Sequence, residues 1–98
     1  MSRKDKQIEK IRRAVEKVAK EYNIKRVELF GSYANGTQTR KSDIDLLVDF
    51  DNPTMSLFGV FRIQRAFEEA LGKKVDLVES PIPKSSFIII DKVVPLYG

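Results

Sequence analysis

The sequence predicts an α/β (α+β) domain: a small mixed β-sheet with helices packed on one face. Three observations lead there. Residues 4–22 carry apolar side chains at alternating steps of three and four, the period of an amphipathic helix. Apolar runs of strand length follow at 26–30, 42–50 and 75–78. A second helical stretch, 56–71, lies between the last two of them. At 98 residues the chain has material for one domain, 1–98, with a core just large enough to fold alone.

In the first helix Ile8, Ile11, Val15, Val18 and Tyr22 form one narrow stripe that reads as core, and Asn23 is a plausible stop. Arg26 to Phe30 is a short strand with Val27 and Leu29 on one face. Gly31-Ser32 breaks it, and residues 32–36 read as a short helical turn that Gly36 closes. A polar loop from Thr37 to Ser42 leads into a strand from Ser42 to Phe50. There Ile44, Leu46, Val48 and Phe50 share the core face, while Asp43, Asp45, Leu47 and Asp49 look outward.

Asp51 to Thr54 is a turn cluster. Ser56 suits the cap of a helix reaching Leu71, with Leu57, Val60, Phe61, Gln64, Phe67 and Leu71 expected to be buried. Gly59 weakens that helix locally and Gly72 ends it. Val75 to Val78 is a third strand with Asp76 inside it, and Ser80 to Pro83 is a loop. Residues 87–94 are ambiguous: Ile88-Ile89-Ile90 favours a strand, whereas Ser85, Ser86 and the Asp91-Lys92 interruption fit a helix. The reading leans to helix.

Composition narrows the chemistry. There is no cysteine, so there are no disulfides and no thiolate zinc site. There is no histidine either, which removes a Ser-His-Asp triad and a histidine base. What remains is carboxylates, hydroxyls, Lys/Arg and backbone groups, and oxygen ligands suit magnesium or manganese. No apolar run has the length of a membrane span and the N-terminus lacks a signal peptide's apolar stretch, so no membrane role and a cytoplasmic location are expected. The formal net charge is +4, and residues 1–26 hold ten Lys/Arg against four Asp/Glu. That basic segment reads as the solvated face of a helix. Its cations are scattered, without aromatic interleaving, so nucleic acid is not a favoured partner.

The informative stretch runs from Gly31 to Asp45. Ionised carboxylates rarely sit inside an apolar run without a charge partner, and a metal ion suits two at once. Alternation along a strand aims Asp43 and Asp45 the same way, and Asp76 supplies a third carboxylate if its strand lies alongside. Gly31 lets a backbone approach a ligand closely, and Ser32 offers an amide and a hydroxyl at a helix start, both suited to phosphate oxygens. No Gly-Lys-Ser/Thr follows, so this is not a Walker A loop.

Gly31-Ser32, ten residues, then Asp43-Ile44-Asp45 resembles the signature of the DNA polymerase β-like nucleotidyltransferase superfamily. Ser42 to Val48 and Lys74-Val75-Asp76-Leu77-Val78 look most like its minimal nucleotidyltransferases, over roughly residues 8–98. The resemblance implies the polymerase β-like fold. It also implies an antitoxin that transfers AMP from ATP to a tyrosine of a HEPN-domain toxin. By the same resemblance Gly31 and Ser32 would hold the nucleotide's phosphates. Asp43 and Asp45 would bind two Mg²⁺ ions (Mn²⁺ being the alternative), and Asp76 would complete the set and help deprotonate the attacking hydroxyl. One departure is Asn35, where many relatives carry arginine; Arg40, and beside it Lys41, either replace that cation or serve only to solubilise the loop. The alternative function is a non-catalytic antitoxin that neutralises its partner by forming a complex.

Overall fold

The computed structural model describes residues 3–50, 56–80 and 92–98. Helix α1, Arg3–Glu21, leads to strand β1, Arg26–Phe30, then the single turn α2, Ser32–Asn35, and strand β2, Ile44–Asp49. Helix α3, Leu57–Leu71, follows, then β3, Val75–Glu79, and β4, Val94–Tyr97. The four strands form one mixed sheet in the order β3-β2-β1-β4. β1 runs antiparallel to both β2 and β4, whereas β2 and β3 are parallel and joined through α3.

Cross-strand register sorts the side chains into two faces. Leu29, Leu46 and Leu77 make one row, and Ile44 and Val75 another. With Val27 and Val48 these point at α1 and α3, where Ile11, Val15, Val18, Ala19, Ile63 and Phe67 complete the buried core. The stripe expected on the first helix is therefore core, with Ile8 and Tyr22 only partly buried at its ends. Asn23 takes a left-handed φ of 54°, and Ile24 donates its amide to the Ala19 carbonyl at 2.9 Å, closing α1 as a Schellman turn.

The basic helix α1 offsets part of its own charge. Arg12 pairs with Glu9 and Lys20 with Glu16, each at 2.7 Å. Arg12 also donates to the Pro95 carbonyl at 3.2 Å, tying α1 to β4.

Three expectations change. The second strand begins at Ile44, not Ser42, because its pairing with β1 ends at Asp45 and its pairing with β3 starts at Ile44. Asp43 therefore lies just ahead of the strand. On α3, Phe67 is buried as expected, but Leu57 and Phe61 are 68% and 52% exposed, and Ile63 is buried in their stead. Phe58 is also exposed, at 84%. The helix rests on the sheet along Val60, Ile63, Phe67 and Leu71, and at 100° per residue Leu57 and Phe61 turn progressively off that line.

The third change is at the C-terminus, where Val94 opens a strand and not the end of a helix. Pro95 is tolerated there because β4 is an edge strand. The turn at 51–54, the loop at 81–83 and the helix expected over 87–91 lie outside the described residues. No helix among the described residues is long and apolar enough to cross a membrane.

Candidate active site

On the sheet face turned away from α1 and α3, Phe30, Asp45 and Asp76 form one cross-strand row. Asp45 is on the central strand β2 and Asp76 is its direct neighbour on β3. Paired positions in a parallel ladder present their side chains to the same side, so the two carboxylates stand abreast.

β3 is an edge strand, yet its start is firmly held. Val75 pairs with Ile44 on one side, and on the other Gln64 donates to its carbonyl at 2.8 Å while Glu68 accepts from its amide at 3.1 Å. Ile44 donates its own amide to the Lys74 carbonyl at 3.0 Å. Register between the two acids is fixed by these contacts one residue away.

The Gly-Ser corner is on the same side. Gly31 has φ 74° and ψ −152°, a conformation open to glycine, and it packs directly against the Asp45 carboxylate. A β-carbon there would overlap Asp45 Oδ2. Ser32 begins α2, whose one turn is closed by Asn35 donating to the Gly31 carbonyl at 3.0 Å and by Gly36 in a left-handed cap. Tyr33 and Ala34 are buried and anchor the turn, while Asn35 is exposed.

Arg40 is exposed on the loop before Asp43. That loop closes on itself: the Thr39 amide donates to Ser42 Oγ at 2.8 Å and the Ser42 amide to the Thr39 carbonyl at 3.1 Å.

Negative charge accumulates here. Asp45 is half-buried, with buried Phe30 opposite and buried Leu47 two residues along. Burial and, after it, the negative charges of Asp76 and Asp43 push the Asp45 carboxyl above its ordinary range. Among the described residues no three acidic side chains close up, as they stand, into a group able to hold a metal ion.

The donor set still fits a hard divalent cation. It is all oxygen, two members lie in register, and a third is close enough to shift the titration of Asp45. A cation between them would offset both the burial and the like charges that raise Asp45.

The structure thus brings together Gly31, Asp45 and Asp76, with Ser32 at the same corner and Asp43 within electrostatic reach. It leaves Arg40 apart, on the loop surface. Sequence reasoning placed Gln64 on the buried face of α3 but did not identify it or Glu68 as the residues that hold β3.

Comparisons with known proteins bear on the family and the fold. The model of a family described as the nucleotidyltransferase domain matches residues 8–94. The chain is 36% identical over 80 residues to the protein adenylyltransferase MntA of Thermococcus cleftensis, covering 81% of this chain and 80% of that one. It superposes with a TM-score of 0.72 and 27% identity on a chain from the crystal structure of a toxin-antitoxin with AMP-PNP, covering 89% of this chain and 73% of that one. Its fold is also that of a chain from the complex of a tri-AMPylated Shewanella oneidensis HEPN toxin with its MNT antitoxin, at TM-score 0.67 and 21% identity, over 93% of this chain and 72% of that one.

Proposed function

The chain belongs to the nucleotidyltransferase domain family, and from that premise we propose that it transfers AMP from ATP to a tyrosine hydroxyl of a HEPN-type toxin, and so acts as that toxin's antitoxin. The observation that carries this reading is the pairing of Asp45 with Asp76 across β2 and β3, with Gly31 packed on Asp45. Relatives support the substrates: one is an adenylyltransferase by name, one was crystallised with an ATP analogue, and one accompanies an AMPylated toxin.

In this reaction the hydroxyl oxygen bonds to the α-phosphorus of ATP, the bond to the β-phosphate bridging oxygen breaks, and pyrophosphate leaves with its electron pair. The hydroxyl's proton passes to a base, the role assigned to Asp76, whose exposed carboxylate is open to an incoming group. Asp43, Asp45 and Asp76 would hold two Mg²⁺ ions. When bound, these lower the pKa of the nucleophile and neutralise charge on the phosphates. Ser32 and the first amides of α2 would hold phosphate oxygens, with Gly31 allowing close approach. Arg40, exposed on the loop that leads into Asp43, would supply a cation to the polyphosphate.

The test uses the cognate toxin, Mg²⁺ and ATP labelled at the α-phosphate. Label on the toxin that falls to background in Asp43→Asn/Asp45→Asn is the expected result. Tight complex formation with no label at any Mg²⁺ concentration would instead establish the non-catalytic antitoxin.

A further inference from the structure

We infer that Lys73 is a positioning residue for the metal and phosphate side of this site, an inference that rests on the function proposed above. Lys73 lies between the left-handed Gly72 cap of α3 and the start of β3, three residues before Asp76. Its side chain is half-buried and contacts the other two parts of the site. The ammonium donates to the Arg40 carbonyl at 3.0 Å and stands 5.7 Å from the centroid of the Tyr33 ring. Tyr33 directly follows Ser32, and Arg40 lies in the turn that ends at Ser42, next to Asp43. One cation therefore joins the segment carrying Asp76, the turn carrying Ser32 and the loop delivering Asp43.

The loop needs such a tie. The Thr37 amide ties its start to the Ser32 carbonyl at 3.0 Å, while the hydrogen bonds among Thr39, Lys41 and Ser42 fix the shape of its far end without fixing its place. Asp43 lies ahead of β2, so no ladder bond secures it. A cleft of about 200 Å³ opens between α1, α2 and α3, lined by Lys10, Ile11, Tyr33, Ile44, Leu71 and Lys73. Apolar packing there is incomplete, and Lys73 lies at its rim. Besides Lys73, Gln38 donates to Gln7 of α1 at 2.7 Å between two exposed-to-half-buried side chains. A charged donor to a carbonyl is the stronger of the two.

The experiment compares wild type, Lys73→Met and Lys73→Arg by amide hydrogen exchange, Mn²⁺ binding and adenylyl transfer. Lys73→Met keeps the length and apolar stem of the side chain. It is expected to speed exchange at residues 39–43, weaken Mn²⁺ roughly tenfold, the effect of losing one charge-assisted hydrogen bond, and raise the Mg²⁺ concentration for half-maximal transfer to match. Lys73→Arg retains a cation and a donor and is expected to recover most of each. Exchange and Mn²⁺ affinity in Lys73→Met equal to wild type would overturn the inference. So would loosening spread evenly through α3 and the sheet, because that marks lost stability and not a lost tie. The exchange arm reads the tie even if no transfer is found, so its failure is distinct from failure of the proposed activity.

Discussion

Asp45 carries opposing demands. Its place on the central strand, beside buried Phe30 and Leu47, fixes its geometry but costs solvation, and Asp76 and Asp43 add like charge. Its carboxyl therefore titrates above the unfolded-chain value. The associated stability is fully present below that unfolded value and is lost as the pH rises through the raised, folded one. In divalent-free buffer Asp45→Asn should accordingly unfold at a higher temperature than wild type near neutral pH, with the gap closing as the pH falls below the ordinary carboxylate range. Mg²⁺ should close it from the other side by raising wild type alone. A variant less stable than wild type at every pH would contradict this account. Sequence made the acids legible because Asp43, Asp45 and Asp76 interrupt apolar runs. It did not show that Asp43 lies outside the strand, since a strand end depends on where its neighbours stop.

For single elements, caps and periods were readable and orientation less so. α3 starts at Ser56, whose hydroxyl accepts from Gly59, and stops at Gly72, both as the sequence indicates. Its buried line was misjudged at Leu57 and Phe61 because apolar residues surround this helix more widely than the sheet can cover. Position on the helix then decides what each side chain is worth. Phe67, fully buried, should cost about 3–5 kcal/mol when replaced by alanine. Phe58→Ser, at an exposed position, should stay within about 0.5 kcal/mol. Urea unfolding of the two variants checks the contrast. Comparable losses would mean that α3 is buried along another line.

Across the whole molecule, the sheet was legible as three strands and its fourth was not. β4 is four residues long and contains a proline, which argues against a strand until β4 is known to lie at an edge. Its contribution is nonetheless to the core, through buried Leu96 and through the Pro95 carbonyl that receives Arg12. Removing residues 92–98 exposes the other edge of β1 and should lower stability by about 3 kcal/mol or more, measured as a shift in the urea midpoint. An unshifted midpoint would show that β4 is dispensable.

Parallel pairing of β2 with β3 has a last consequence. The two acids meet only if the α3 crossover delivers β3 in one alignment, for a slip of a single residue would send Asp76 to the opposite side of the ladder. In the proposed reaction these two acids act together, so a chain with β3 one residue out of register would keep every acid and lose the pairing that the proposal needs.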